Sequence, residues 1–151
     1  LELWNRGMIL ELFLRRTLEK TLAPERILWD ILVIAYPTLA QDVIGTDFDR
    51  LRGLHEIGLL ARDRGGRLGI FETENTPIKA ELTYPEVMQF LGKVGNIESY
   101  YGVRARKVIV TTSKPSPDLR WVRERPDLFI SDREDLMGNL AGLTKYLSGT
   151  V

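Results

Sequence analysis

Leu59-Leu60-Ala61-Arg62-Asp63-Arg64-Gly65-Gly66-Arg67-Leu68-Gly69-Ile70-Phe71 holds two short apolar segments around a charged, glycine-bearing centre. Glycine supplies the positive φ of a tight turn without steric cost. Asp63-Arg64-Gly65-Gly66 therefore predicts a β-hairpin joining Leu59–Arg62 to Arg67–Phe71. What that hairpin is joined to decides the rest of the architecture.

Upstream, residues 39–57 place Val43, Ile44, Phe48, Leu51, Leu54 and Ile57 at helical intervals, broken near Gly45. Gly58 stands where a helix-ending glycine belongs. Residues 25–36 are apolar nearly all round, which fits a buried helix or a buried strand. Pro24 and Glu25 suit a helical first turn. Residues 2–21 repeat Leu3, Ile9, Leu10, Phe13, Leu14 and Leu18 toward Leu22, with Arg15, Arg16, Glu19 and Lys20 gathered near the end. That spacing predicts an amphipathic helix.

Downstream, Ile78–Thr83 alternates like a half-buried strand. Thr83 and Glu86 form a capping box, Val87, Phe90, Leu91, Val94 and Ile97 share a helix face, and Gly102 ends that helix. Lys107–Thr112 is β-branched, as in a central parallel strand. Ser116-Pro117 opens a short helix to about Glu124, and Leu128–Ser131 is a short strand. Ser131 with Glu134 reads as a second capping box, and Leu136, Leu140, Leu143 and Leu147 line a final helix. The order is three helices, a hairpin, then β-α-β-α-β-α. Short connections imply a small, mostly parallel sheet. The best boundary lies near Pro77, dividing the chain into residues 1–76 and 77–151, two halves expected to pack together because neither has much core alone.

The 151 residues carry 21 basic and 21 acidic side chains, one His and no Cys. Zero net charge removes any bulk-charge argument for nucleic acid and leaves only local basic patches. Absent Cys excludes a disulfide framework, a zinc finger, an iron–sulfur cluster and a thiol nucleophile. A single His, His55, excludes a multi-His metal site and is read as a helix-surface residue. No apolar run approaches the length of a membrane span, and no signal peptide is visible, so a cytoplasmic location away from membranes is expected. The chain does not start with Met, which leaves a fragment of a longer protein open as a reading.

Two families are resembled. Leu51-x-x-Leu54-x-x-x-Gly58-Leu59-Leu60-x-Arg62 followed by Gly65-Gly66-Arg67-Leu68 resembles the recognition helix, helix stop and wing of a winged helix-turn-helix domain, over residues 24–74. That resemblance implies DNA contact. Arg62, Arg64 and Arg67 of the wing would touch phosphates, supported by Arg50 and Arg52. The helix itself also holds Asp47, Asp49 and Glu56, which disfavours tight DNA binding.

The second resemblance is to the PD-(D/E)XK, or restriction-endonuclease-like, nucleases. His55 to Asp63 followed by Leu68-Gly-Ile-Phe-Glu72-Thr-Glu74 is similar to their metal-binding hairpin, with Gly58 where Asp is expected and Glu74 where Lys is expected. In another register, Pro77-Ile78-Lys79-Ala80 before Thr83-x-x-Glu86-Val87 resembles the lysine-bearing strand and its helix, with Pro77 in place of Glu. Glu11 after Gly7 would match the N-terminal helix, and the Val108–Val110 and Phe129–Ile130 strands the second half. Such enzymes hold Mg²⁺ or Mn²⁺ on carboxylates while a Lys helps activate water. Here Glu72 and Glu74 would be the metal ligands, and Glu72, Glu74, Lys79 and Glu81 a displaced catalytic set. The plainer reading is that Lys79 and Glu81 form an exposed ion pair on a strand face.

Arg104, Arg106 and Lys107 form one further basic cluster, and Arg120, Arg123 and Arg125, beside Trp121, another. Both read as solvated surface. Ser113-Lys114-Pro115-Ser116 follows a central strand, where α/β proteins bind ligands, but lacks a glycine-rich phosphate loop. The apolar stripe of residues 3–22 is core or the seam of a homodimer. The expectation is an α+β fold with a winged-helix-like first half and a nuclease-like second half. Its expected role is that of a non-catalytic module associated with double-stranded DNA and needing no cofactor. The alternatives are a Mg²⁺- or Mn²⁺-dependent nuclease with a displaced site, and a protein-interaction or dimerisation module.

Overall fold

The computed structural model describes residues 10, 14–22, 24–32, 56–63, 65–74 and 81–149. Residues 14–21 form helix α1, whose Leu14 and Leu18, with Leu10 and Leu22, are buried. Strands β1 (Pro24–Leu32), β2 (Glu56–Asp63) and β3 (Leu68–Glu74) follow. They form an antiparallel meander, with Trp29 opposite Leu59 and Leu60 opposite Ile70.

The chain then passes through β4 (Glu81–Leu82) and α2 (Tyr84–Tyr101) into β5 (Ala105–Thr111), which lies parallel to β3 with Ile70 beside Lys107. After β6 (Lys114–Pro115), a 3-10 turn (Pro117–Leu119) and α3 (Arg120–Arg123), strand β7 (Leu128–Ser131) lies parallel to β5. Helices α4 (Arg133–Met137) and α5 (Ala141–Ser148) complete the described chain. The main sheet has the order β1-β2-β3-β5-β7, and β4 pairs with β6 in a small parallel sheet. The fold is α+β with a mixed sheet.

Both faces of the sheet are covered. One core packs Leu60, Leu68, Ile70, Ile109 and Ile130 against Val87, Phe90, Val94 and Ile97 of α2. The other packs Ala61, Phe71, Val108 and Val110 against Leu14 and Leu18 of α1 and Leu143 and Leu147 of α5. Burial on both faces explains why every residue of β5 is buried and why its Val108–Thr111 stretch is a continuous β-branched run rather than an alternation. The leucine stripe around α1 therefore takes the core alternative: Leu10, Leu14, Leu18 and Leu22 belong to this chain's own interior.

The hairpin forms as expected, with β2 longer at both ends, β3 starting at Leu68 and extending to Glu74, and Gly66 at φ 82° in the turn. Helix α2 starts at the expected box, where Thr83 donates from its backbone N and from its hydroxyl to Glu86. It ends at Gly102, whose φ of 66° closes the helix onto the Glu98 carbonyl.

Several expectations are corrected. Pro24 opens a strand rather than a helical first turn, and of the two readings of residues 25–36 the strand holds for the described part. Apolar groups on both sides favour a strand wherever a neighbouring strand can take its hydrogen bonds, and β2 does so. Gly58 does not stop a helix: it lies inside β2, with Glu56 and Ile57 already extended. The winged-helix resemblance loses its helix stop there, and the hairpin is an interior part of a covered sheet. Residues 39–55 of that expected helix lie outside the described residues.

The final helix is two helices, separated by Asn139 and Leu140 at φ 58° and 59°. Its first cap is Asp132, which accepts from the Asp135 backbone, rather than Ser131 with Glu134. Asp135 in turn caps the second helix, accepting from Gly142 N at 2.6 Å, Leu143 N at 3.2 Å and the Ser131 hydroxyl at 2.5 Å. One carboxylate that satisfies the orphan N–H groups of a new helix makes the interruption affordable.

Candidate functional site

The sheet offers two chemically distinct ends. At one, β3 finishes beside β5. Leu68 and Ile70 face α2, and alternation puts Glu72 next on that face. Lys93 of α2 meets it there, Nζ to Oε2 at 3.3 Å, with side chains 23% and 22% exposed. The last described β2–β3 pair is Leu59 with Phe71, so Gly58 and Glu72 are the next residues along the two strands. The glycine that stands for an expected Asp thus neighbours the carboxylate that would share its metal.

Glu74 stands opposite Thr111 in the β3–β5 register. Thr111 and Ser113 share a buried hydroxyl hydrogen bond of 2.9 Å. Glu81 is exposed on β4, in register with Lys114 in the separate small sheet. Lys79, Glu11 and His55 lie outside the described residues. Among the described residues, no group of three or more His, Cys, Asp or Glu side chains is placed to hold a metal ion.

The opposite end, at the hairpin turn, holds a charge network that the sequence reading placed in solvent. Arg106 and Lys107 are 8% and 4% exposed. The reason is the strand they begin: β5 is covered on both faces, so consecutive side chains enter opposite layers. Arg106 donates Nη1 to the Leu147 carbonyl at 2.6 Å and Nη2 to Asp63 at 3.4 Å. Asp63, itself buried, accepts from the Arg67 backbone N and from Nε, both at 2.8 Å. On the other face, Lys107 Nζ donates to Glu98 at 3.1 Å, Asp127 at 2.9 Å and the Ala105 carbonyl at 3.1 Å. Arg125 closes on Asp127 from the surface.

The titration of these groups reports the same balance. Burial pushes the Asp63 carboxyl up, but hydrogen bonds from Arg67 and the charges of Arg67 and Arg106 bring it below the ordinary value. Burial likewise opposes ionisation of Asp127, and Arg125 and Lys107 overcome it, holding it at about 2. Burial lowers the pKa of Arg106, and the like charge of Arg67 adds to that. Tyr146 is pushed up to about 12 by burial and by the nearby Asp127 charge.

A pocket of about 460 Å³ opens at this end, lined by Gly66, Arg67, Leu68, Arg104, Ala105, Arg106, Lys107 and Asp127. Of the arginines expected at nucleic acid, Arg67 lies here and is exposed, and Arg62 is half-buried in β2. Arg50, Arg52 and Arg64 lie outside the described residues. The third basic cluster splits: Arg120 is exposed, Arg125 is bound to Asp127, and Trp121, 52% exposed, packs against Tyr84 at 5.7 Å between ring centroids. The segment Ser113–Ser116 is tied down by the β4–β6 pairing and by Ser116 N on the Leu82 carbonyl.

Lys93 is the site residue that sequence reasoning missed. It borders the apolar stripe of α2 between Phe90 and Val94, and a lysine flanking such a stripe is ordinary; only the packing of α2 on β3 gives it a partner.

No protein-family model and no curated protein matches the sequence. Among solved structures, the chain is similar to AF1548, a protein of unknown function, with a TM-score of 0.56 and 15% identity over 86% of this chain and 57% of that one. It also matches VC1899 from Vibrio cholerae, with a TM-score of 0.47 and 15% identity over 76% of this chain and 32% of that one. The likeness to AF1548 is one of fold. The chain spans little more than half the length of AF1548 and about a third of VC1899. Among the described residues, no helix is long and apolar enough to cross a membrane.

Proposed function

We propose that this chain is a DNA-associated, non-catalytic module built on a nuclease-like scaffold. The observation that carries the reading is the Glu72–Lys93 ion pair beside Gly58. Where the resembled nucleases set two carboxylates around Mg²⁺, this chain has one described carboxylate, and a lysine ammonium already occupies its charge. A cation bound there would have to displace Lys93 and would lack the ligand that Gly58 cannot supply. The order hairpin, helix, strand, short helix, strand supports the scaffold reading. Duplex DNA would meet the hairpin end, where Arg67 is exposed, with Arg62 and Arg64 alongside it in sequence and Arg50 and Arg52 upstream. Phosphate contact by these arginines requires no sequence readout.

Gel-shift and cleavage assays on labelled duplex, with and without Mn²⁺, test this. The expected result is a shift that weakens steeply with salt, is reduced by Arg67→Ala, and is accompanied by no cleavage. Absence of any shift overturns the DNA reading and leaves a protein-interaction module.

The same contact favours a second reading. A carboxylate and a lysine within 3.3 Å are the pair that activates water in PD-(D/E)XK enzymes, so Lys93 would replace the lysine expected at Glu74 or Lys79. Metal-dependent cleavage lost in both Glu72→Gln and Lys93→Ala would establish it.

A further inference from the structure

We infer that the pocket between the β2–β3 turn and the start of β5 is a binding site for a phosphate monoester. Its lining carries four cations, Arg67, Arg104, Arg106 and Lys107, against the single carboxylate of Asp127. The partners behind it do not restore the balance. Asp63 serves both Arg67 and Arg106, and Asp127 serves both Lys107 and Arg125, with Glu98 adding a second carboxylate to Lys107. Arg104 is exposed and has no partner among the described residues. Among the described residues, five cations face three carboxylates, an excess of two positive charges around one cavity.

The buried Arg106 and Lys107 are each held by a carboxylate, so the surplus sits on the exposed Arg67 and Arg104 and the half-buried Arg125, where it can meet a ligand from solvent. Behind the lining, Arg106 Nε is a buried donor without a hydrogen-bond partner. A phosphate dianion would balance the surplus. Arg106 and Lys107 are fixed by the Leu147 and Ala105 carbonyls and would supply a preset field. Arg104 stands exposed at the rim, where a guanidinium can meet phosphate oxygens in a planar two-point contact, and Arg67, held by Asp63 through Nε and by the Gly149 carbonyl through Nη1, keeps Nη2 for a single further contact. Asp127 is neutralised by its own two cations, so it does not oppose the anion. Leu68 and Ala105 form an apolar wall, and about 460 Å³ accommodates the organic group attached to the phosphate.

The ligand is a nucleotide or the phosphorylated end of a nucleic-acid strand. The inference stands without the DNA reading above.

Titration calorimetry on the whole chain and on Arg104→Glu tests it, with inorganic phosphate, a nucleoside monophosphate, the matching nucleoside, and oligonucleotides with and without a terminal phosphate. The expected result is binding of inorganic phosphate and of the monophosphate but not of the nucleoside. Arg104→Glu weakens it roughly tenfold or more, Arg104→Lys restores part, and the ligand-free melting temperature stays unchanged. Preference for the phosphorylated oligonucleotide identifies the strand end as the source, and binding of the mononucleotide alone identifies the free nucleotide and refutes the DNA reading. Equal binding of both oligonucleotides, with none of phosphate or monophosphate, overturns the pocket proposal while leaving the DNA reading intact. Monophosphate binding unchanged in Arg104→Glu also overturns it.

Discussion

The two ends of this sheet handle charge in opposite ways. At the hairpin end, Arg106, Lys107 and Asp63 are buried and each is held by several partners. At the far end, Glu72 and Lys93 meet at 3.3 Å, still partly in water. The difference teaches where structural necessity ends. A charge that the fold buries must be paired, and the pairing then becomes part of the core. A charge left at a partly wet edge is nearly neutral for stability.

The largest expected effect breaks the buried end. Asp63→Ala would leave Arg106 without its carboxylate and release the Arg67 backbone N–H, and should destabilise the protein by about 3–5 kcal/mol in denaturant unfolding. A loss below about 1 kcal/mol would show that water reaches Arg106 and that the network is not core.

Near the start of the neighbouring strand β3, Gly69 gives a control that involves no charge. A Cβ there would sit 2.7 Å from Cε1 of the buried Phe71, so Gly69→Ala should cost about 1–3 kcal/mol. The same substitution at Gly92 of α2, where a Cβ meets nothing, should stabilise slightly through helix propensity.

Acid should separate the two ends. The folded pKa of Asp127, about 2, lies below the ordinary 3.8, so its contribution is complete above 3.8 and is lost as pH falls toward 2. Asp63 is shifted in the same direction and adds to the same limb. Unfolding midpoints should therefore fall across that window, and Asp127→Asn should flatten the fall; an unaltered acid limb would refute the assignment.

The smallest effect belongs to the far end. Glu72→Gln and Lys93→Ala should each change stability by about 1 kcal/mol or less by thermal melting. A loss as large as that of Asp63→Ala would mean that both ends are structural and would weaken any functional reading of Glu72.

Much of this division was hidden along the chain, for reasons that particular residues make plain. Gly58 after a run of helical spacing reads as a stop signal, yet β1 on one side and β3 on the other draw Glu56–Asp63 into a strand. Residues 25–36 could be helix or strand because uniform apolarity signals burial and carries no period. Arg106 and Lys107 look like surface because charges usually are; they are interior because β5 lies between two strands and two helical layers. Lys93 and Glu72 are 21 positions apart, and no local pattern links them.

What the sequence determined by itself is local. Asp63-Arg64-Gly65-Gly66 specified the turn, Thr83 with Glu86 and Gly102 set the ends of α2, and the β-branched run before Thr112 specified a buried strand. Each of these rests on backbone φ, on capping hydrogen bonds or on side-chain branching, which act within a few residues. Only the tertiary structure decided that the hairpin is interior, that two cations of β5 are buried, and that Lys93 answers Glu72. Those outcomes depend on which distant surface covers a residue, and burial and electrostatic partnership exist only once the layers have packed.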